Sequence, residues 1–556
     1  MHLCWCFVWS LFYAWALAAD LESSLLALAS LSRLSTSTSS LADSVITVPL
    51  VAKNKGIFFN VQLGDLAVLL DLQQPDLWVP RPEALIQLYC NVSDIPGTAL
   101  SSRLAALAEC TSDYPYGMLY AGTTLLSDSG STSTSSVETL IDLLGNPVSI
   151  AYPNAIVAEG EVGITTFNLS DTSEGDIILD DFAFVYVNHT NMIAGGLGLA
   201  DNSRGTGFLN YFVNSETIKS HAYSAFMEYM LDNTEAAGEL LLGAVNKKYF
   251  EGDFVSFPIL PYTGLNSGST LPTLLLSDLR VVNGNTSQSV SLLEQDPVPV
   301  LLDTRNSFNY FPLDVIIRLA LQTNAFYNKE NDEWIVKCSD VEESDAELHY
   351  QFGPLTIKAP LSSLLYASSN DTPLKFSGGA KACILNVSPS SYLGYTSLGL
   401  PFLTNAYFAV DNDGKHIALG NHNKNYTANT DFSLQSGSSK SNKSDDGASL
   451  IASGTIPFAS TYNYTLSATL TINPANSSAA EAVLTKYSLA SIVSGEVVVS
   501  GHSSSTVGPL KLQSSRSTSS KAMAGGAFTH WDRPGKEKLF IYVSLFIFGA
   551  FVGVVI

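Results

Sequence analysis

Short apolar runs recur along most of the chain, and their pattern predicts β-strands. Residues 57–63 and 182–187 are examples, and such runs are separated by Gly, Asn, Asp and Pro, which favour turns. The same pattern fills residues 46–215 and then residues 216–421, with one helical pattern at 312–323. It indicates two β-rich parts of similar build with a cleft between them.

Two of these apolar runs end in the same way. Residues 68–71 and residues 300–303 are both Val-Leu-Leu-Asp, so each run is a predicted buried strand that ends in an aspartate at a turn. A single aspartate at such a place usually only caps a strand. Two facing carboxylates that share a proton, however, can perform general acid–base chemistry on water. The repetition favours Asp71 and Asp303 as a catalytic pair.

The residues around these aspartates resemble the pepsin-like aspartic endopeptidases. Leu-Trp-Val-Pro follows the first aspartate at 77–80, and residues 148–152 resemble the strand that leads into the flap, with Tyr152 as the flap tyrosine. The resemblance implies an all-β, bilobal pepsin-like fold with few short helices, a polypeptide bound in the central cleft and no cofactor. It covers residues 47–421, and further similar segments are 194–200, 238–245, 396–403 and 406–411.

Both active-site loops depart from the family's Asp-Thr/Ser-Gly pattern. The glycine is replaced by Gln73 in the first loop and by Arg305 in the second. Glycine lets the backbone turn tightly and present its N–H to the carboxylate. We therefore expect the bulk of Gln73 and Arg305 to move these two amides.

Two further changes concern the partners of the aspartates. In the family a threonine pair links the two loops, and Leu72 cannot take part, which would leave Thr304 without its partner. A nearby cation lowers the pKa of a carboxyl, whereas the pair must hold one proton to work. If Arg305 points inward, we expect activity only at lower pH than is usual for the family.

The two ends of the chain carry processing signals. Residues 1–19 have the pattern of a signal peptide, and residues 20–45 occupy the place of a propeptide without a paired basic site. We expect the N-terminal lobe at 46–215 and the C-terminal lobe at 216–421. A Ser/Thr-rich stalk is expected at 422–525, within which residues 464–472 and 495–499 could pair as a small β module.

Small residues, a polar spacer and an apolar tail follow the expected stalk. This order is typical of a glycolipid anchor signal at 526–556, with Gly525 as the anchored residue, and a terminal membrane helix is the alternative. Signal, stalk and anchor together make the likeness closest to the yapsins of fungal cell surfaces. They indicate a route through the secretory pathway to the outer leaflet of the plasma membrane or the cell wall.

The cysteines and glycosylation sequons also indicate a secreted chain. Four cysteines remain after the signal and allow three disulfide pairings. The family likeness favours Cys90–Cys110 and Cys338–Cys383, each contributing roughly 3 kcal/mol. Asn-X-Ser/Thr sequons, which indicate surface exposure in a secreted chain, lie at Asn91, Asn168, Asn188, Asn285, Asn370, Asn386, Asn425, Asn442, Asn463 and Asn476.

Composition narrows the choice of partners. The 556 residues are 46% apolar, enough for a large core, and their formal net charge of −23 argues against nucleic-acid binding. No Cys-x-x-Cys pair or histidine cluster suggests a metal, and a monomer held at a membrane by lipid is expected. Three functions stay open: a surface aspartic endopeptidase, a pseudoprotease that binds peptides or a wall partner, and a structural wall glycoprotein.

Overall fold

The structure is a computed structural model in which strands dominate. The strands of the N-terminal lobe come mainly from residues 46–202, and those of the C-terminal lobe from residues 244–398. The structure describes residues 45–51, 58–89, 114, 116–119, 141–154, 156–171, 175–202, 207–228, 236–265, 269–294, 296–367, 374–426, 447–465 and 467–499. The predictions of a signal peptide, a propeptide, a Cys90–Cys110 disulfide and an anchor at Gly525 fall outside these ranges.

The strands are numbered in chain order. The first ten are β1 (Ile46–Val51), β2 (Asn60–Leu63), β3 (Leu66–Asp71), β4 (Leu77–Pro80), β5 (Asp142–Ser149), β6 (Ala158–Leu169), β7 (Ile177–Thr190), β8 (Gly196–Gly198), β9 (Asp201–Asn202) and β10 (Ala222–Met227). The next ten are β11 (Ala236–Leu242), β12 (Ala244–Asn246), β13 (Phe250–Pro258), β14 (Tyr262–Thr263), β15 (Ser269–Thr270), β16 (Thr273–Leu276), β17 (Asp278–Asn283), β18 (Ser289–Ser291), β19 (Val298–Leu302) and β20 (Asn309–Phe311).

The remaining strands and the helices complete the described elements. The strands are β21 (Phe326–Asn328), β22 (Glu333–Lys337), β23 (Ala346–Phe352), β24 (Leu355–Pro360), β25 (Leu365–Ala367), β26 (Lys375–Phe376), β27 (Ala382–Leu385), β28 (Val387–Pro389), β29 (Ser397–Leu398), β30 (Ala406–Asp411), β31 (His416–His422), β32 (Ala448–Leu450), β33 (Ser460–Thr461), β34 (Leu470–Thr471), β35 (Ser488–Val493) and β36 (Glu496–Val499). The helices are α1 (Pro82–Tyr89), α2 (Phe208–Asn214), α3 (Leu313–Thr323), α4 (Cys338–Glu342), α5 (Leu400–Leu403) and α6 (Ser478–Leu484).

Six neighbouring strands join the two lobes. In the order β13, β31, β30, β10, β11 and β1 they are consecutive strands of a 14-stranded sheet, and these six are called here the interlobe sheet. Side chains alternate across it, as the pleat of a strand requires. In β10, Tyr223 and Ala225 pack into the large core shared by the lobes, whereas Ala222 and Phe226 join a separate apolar cluster. Both faces of this sheet are therefore apolar and need cover.

The two Val-Leu-Leu-Asp runs occupy equivalent places in the two lobes. Strand β3 pairs in parallel with β8, and strand β19 pairs in parallel with β29. The Leu69 N–H donates to the Gly195 carbonyl at 3.0 Å, and the Leu301 N–H donates to the Thr396 carbonyl at 3.0 Å. All of β3 and the last three residues of β19 are buried, so each aspartate stands at the buried end of its strand.

Two sequence predictions can be compared directly with the C-terminal lobe. A helix was predicted at 312–323, and α3 begins at Leu313 directly after Pro312 and ends at Thr323. The structure contains a disulfide between Cys338 and Cys383, with their Cα atoms 5.1 Å apart. This is the pairing that the family likeness implies.

The expected stalk at 422–525 needs correction over its middle part. Residues 447–465 and 467–499 are folded against the lobes: β32 pairs with β12, β33 with β13 and β34 with β14. The proposed pairing of 464–472 with 495–499 is also wrong, because β36 pairs with β35 and β26 instead. Serine and threonine content alone suggested a stalk, but the strands here gain their stability from neighbours far away in sequence.

Within the part of the chain that the structure describes, no helix has the length and apolar character needed to span a membrane.

Candidate active site

The two predicted catalytic aspartates lie at the ends of their strands, where the lobes meet. Asp71 is the last residue of β3 and is 0% exposed, and Asp303 directly follows β19 and is 1% exposed. The Thr304 hydroxyl donates to the Leu70 carbonyl across the lobes at 2.6 Å. This bond ties the second active-site loop to the strand of the first.

Both loop amides still face their carboxylates despite the missing glycines. The Gln73 N–H donates to Asp71 Oδ1 and the Arg305 N–H donates to Asp303 Oδ1, each at 2.9 Å. The expectation that bulk at these positions moves the amides is therefore wrong. Neither Gln73 nor Arg305 has a positive φ, so the turn is open to residues other than glycine.

The loss of the threonine pair has a smaller effect than expected. Thr304 keeps a partner, since its hydroxyl bonds to the Leu70 carbonyl and needs no second threonine. Leu72 is 1% exposed and packs into the large core. Leu72 thus stands where the family has a polar residue, and burial of its apolar side chain in the core is favourable.

Arg305 is directed into the site. Its Nη1 donates to Asp71 Oδ2 at 3.1 Å, and the two side chains are 1% and 0% exposed. The guanidinium carbon lies 5.3 Å from the Trp78 ring centre and 5.5 Å from the Tyr152 ring centre, within cation–π range. A Cβ on Gly196 would stand 2.6 Å from Nη1, so the space for the arginine depends on that glycine.

The predicted flap tyrosine closes over the same carboxylate. The Tyr152 hydroxyl donates to Asp71 Oδ2 and accepts a hydrogen bond from Trp78 Nε1 at 2.7 Å. The Gln74 side chain donates to the Ala151 carbonyl, which fastens the first active-site loop to the flap. Tyr152 is 6% exposed, so Asp71 is shut off from solvent.

The two carboxyls differ in their electrostatic surroundings. Burial raises the pKa of Asp303 to about 7; the Asp71 charge adds to this, while the N–H and the guanidinium of Arg305 act in the opposite direction. Arg305 thus acts to lower the pKa of Asp303 as expected, but burial outweighs the cation and the net shift is upward. Burial and then Asp71 raise the pKa of Tyr152 well above its usual value.

The ion pair also keeps the arginine charged. Burial acts to lower the pKa of Arg305, but the negative fields of Tyr152, Asp71 and Asp303 more than offset it, and the pKa is raised. At acidic pH the site therefore holds a guanidinium cation against Asp71 and a protonated carboxyl at Asp303.

Several site residues were not predicted from the sequence. Asn306 Nδ2 donates to Asp303 Oδ2 at 2.6 Å, and Gln74 fastens the flap. Trp78 lies in the Leu-Trp-Val-Pro motif at 77–80, and Gly196 lies in the segment 194–200. Both segments were recognised in the sequence, but the contacts of these two residues were not predicted. No sequence signal singled out Asn306 or Gln74.

Outside the active site, the described residues include one close group of potential metal ligands and several sequon asparagines. Cys338, Glu342 and Cys383 lie close together, but the two sulfurs are bonded to each other and do not offer thiolate ligands. Asn386 is partly buried, whereas six other sequon asparagines in the described ranges are exposed: Asn168, Asn188, Asn285, Asn425, Asn463 and Asn476. Asn91, Asn370 and Asn442 fall outside those ranges.

Comparison with known proteins gives one consistent family. Aspartic proteinase yapsin-7 of Saccharomyces cerevisiae is 29% identical over 331 residues, which are 54% of this chain and 54% of the relative. Aspartic proteinase MKC7 of the same yeast is 26% identical over 66% of each chain. The matches thus span about half to two thirds of these relatives. An aspartic proteinase structure from Irpex lacteus is 16% identical, with a TM-score of 0.46, over 68% of this chain and 98% of that chain.

The family model described as eukaryotic aspartyl protease matches residues 61–422. This range is more than half of the chain and contains both aspartates and five of the six strands of the interlobe sheet, β1 lying before it. The strand-dominated, bilobal architecture is the pepsin-like fold that the sequence predicted. The chain therefore belongs to the eukaryotic aspartyl protease family.

Proposed function

We propose that this chain is a cell-surface member of the aspartic-type endopeptidase family that binds polypeptides in the inter-lobe cleft without hydrolysing them. The single observation that carries this proposal is the buried ion pair between Arg305 and Asp71. The pepsin-like fold supplies a cleft for peptides. Arg305 contacts Asp71, one of the two carboxylates that would carry out hydrolysis in that cleft.

Hydrolysis needs a water molecule between two carboxylates, one of which accepts its proton. Asp71 Oδ2 already accepts hydrogen bonds from Tyr152 and Arg305, and the Arg305 cation opposes proton transfer to this carboxylate. Withdrawal of the guanidinium would break a buried ion pair, which costs about 3–5 kcal/mol. The site is therefore held in a non-hydrolytic state.

The proposed location rests on the sequence signals and on exposure. We propose the segments of the chain as a signal at 1–19, a propeptide-like segment at 20–45 and lobes at 46–215 and 216–421. An anchor at Gly525, directly before the anchor signal at 526–556, would hold the protein at the outer leaflet. The six exposed sequon asparagines are accessible to glycosylation in the secretory pathway.

Peptide cleavage between pH 3 and pH 7 tests the proposal. We expect no cleavage of a mixed peptide library by the purified, folded protein, together with measurable binding of peptides by fluorescence anisotropy. Asp303→Asn is the matched control, since it removes one member of the pair and leaves the ion pair intact. Cleavage by the native protein that disappears in Asp303→Asn would overturn the non-hydrolytic assignment.

A second candidate function, acid proteolysis by Asp71 and Asp303, is supported by one specific observation. Both loop amides bond to Oδ1 of their aspartates at 2.9 Å, and with a pKa of about 7 Asp303 holds a proton under acidic conditions. A carboxyl pair that holds one proton is the state such chemistry needs. Blockage of cleavage by a statine-type inhibitor would favour this candidate.

A further inference from the structure

Residues 447–465 and 467–499, called here the strap, cover one face of the interlobe sheet. Ile451 is 0% exposed and Ile456 is 6% exposed, and both lie in the apolar cluster formed with Phe226 and Tyr407 of that sheet. This cluster is on the face opposite the large core. Since both faces of the sheet are apolar, the strap excludes water from the second one.

Polar contacts fix the beginning of the strap to the same sheet. The Ile451 N–H donates to the Gly243 carbonyl at 2.8 Å, and its carbonyl accepts from the buried Ser220 hydroxyl at 3.0 Å. The Gly454 N–H donates to Asp411 Oδ2 at 2.6 Å, and Asp411 is 0% exposed. A carboxylate buried to this degree requires hydrogen-bond donors, and the strap supplies one of them to Asp411.

The rest of the strap runs over the C-terminal lobe. The Leu470 N–H donates to the Pro261 carbonyl at 2.9 Å, and Leu484 of α6 is fully buried in the large core. Further on, β35 pairs with β21 and β36 pairs with β26. The strap therefore contacts the interlobe sheet at one end and the outer strands of the C-terminal lobe at the other.

Glycines of the C-terminal lobe leave space for the strap. A Cβ on Gly264 would lie 1.9 Å from the Ile472 carbonyl oxygen, and a Cβ on Gly394 would lie 1.9 Å from the Asn473 carbonyl oxygen. Both glycines have a positive φ, at 95° and 89°. The lobe surface and the strap thus fit each other at backbone level, which a loosely attached stalk would not require.

We propose that the strap is an intramolecular partner that fastens the C-terminal lobe to the interlobe sheet, and that the surface beneath it is a permanent docking interface. The interface does not depend on the proposed function, because none of the contacts described above involves Asp71 or Asp303. Its effect is to hold the lobe that carries Asp303 in place relative to the sheet.

The full chain with a specific protease site inserted between residues 436 and 437 tests this proposal. After cleavage we expect the two pieces to migrate together in size-exclusion chromatography under native conditions and to separate in concentrated urea. Release of the C-terminal piece from lobes that stay folded would overturn the proposal. Peptide cleavage and binding play no part in this readout, so its failure is distinguishable from failure of the proposed function.

A pair of substitutions on the strap gives a second readout. Ile451→Asp places a charge in the buried cluster, and we expect the unfolding temperature to fall by about 5 °C or more. Val493→Asp is the matched control, because Val493 lies on the strap and is 56% exposed. Equal unfolding temperatures for the two variants would contradict a docked strap. If Ile451→Asp fails to fold, the cleavage experiment decides alone.

Discussion

Arg305 makes the surroundings of the two aspartates unequal. In a symmetric pair, removal of either carboxylate has a similar effect, but here only Asp71 bonds to the guanidinium. Asp303 bonds instead to a backbone amide and to Asn306. One carboxylate is thus half of a buried ion pair, and the other is a buried acid whose partners are uncharged groups.

This asymmetry predicts unequal stability losses. We expect Asp71→Asn to lower the free energy of unfolding by about 3–5 kcal/mol, because it leaves the Arg305 charge buried without its counter-ion. Asp303→Asn should cost only about 1–2 kcal/mol, since a neutral side chain replaces a carboxyl whose pKa is already raised. Urea denaturation of both variants measures the difference. Equal losses would contradict a dominant ion pair at Asp71.

The raised pKa of Asp303 predicts how the free energy of unfolding depends on pH. Its pKa is about 7 in the folded chain, against 3.8 when unperturbed. Between these values only the unfolded chain releases the proton, so this group's contribution is complete below pH about 4 and is lost as pH rises to about 7. The loss is on the order of 4 kcal/mol, at about 1.4 kcal/mol per pKa unit.

Comparison of the native protein with Asp303→Asn isolates this contribution. Thermal unfolding of both proteins at pH 4 to 8 should show the native protein losing stability relative to the variant as pH rises. A difference that stays constant over this range would mean that Asp303 titrates normally.

At the scale of elements, the flap and the first active-site loop act as one closed unit. Three contacts hold the flap down: Tyr152 to Asp71, Trp78 to Tyr152 and Gln74 to the Ala151 carbonyl. Each joins residues that are more than seventy positions apart in the sequence. The flap therefore depends on side chains of the loop beneath it.

Removal of one contact should loosen this unit. We expect Tyr152→Phe to speed amide hydrogen exchange at residues 150–154, because Asp71 and Trp78 both lose their hydrogen-bond partner in the flap. Tyr487→Phe is the control, since Tyr487 is 37% exposed and distant in sequence. Mass spectrometry of the exchanged protein gives the rates, and unchanged exchange in Tyr152→Phe would show that other contacts close the flap.

The elements also show how far the sequence could be interpreted. The two Val-Leu-Leu-Asp runs and helix α3 were predictable, because apolar periodicity and repeated motifs depend on local residues. The direction of Arg305 was not, since it depends on Gly196, Trp78 and Tyr152 from three distant segments. The positions of the loop amides were predicted wrongly because glycine was assumed to be needed for the tight turn, whereas Gln73 and Arg305 make this turn without a positive φ.

The strap was missed for a related reason. Strands β33 and β34 are two residues long, too short to show any periodicity, and the surrounding serines and threonines suggested a stalk. Their pairing partners lie about two hundred residues earlier in the chain. A serine- and threonine-rich composition predicts a solvent-exposed segment only when no other part of the fold pairs with that segment.

At the scale of the whole molecule, two lobes, one shared sheet and the strap form a single folded unit. The lobes meet at the aspartates on one face of the interlobe sheet, and the strap covers the other face. The ion pair between Arg305 and Asp71 links the lobes at the front, and the strap links the sheet to the C-terminal lobe at the back. Separation of the lobes must overcome both.

The position of the last described strand has a mechanical consequence. Strand β36 pairs with β35 and β26 of the C-terminal lobe and not with a strand of the interlobe sheet. Tension applied at residue 499 would therefore act first on the hydrogen bonds between these short strands. We expect β36 to separate from β26 before the interlobe sheet is disrupted.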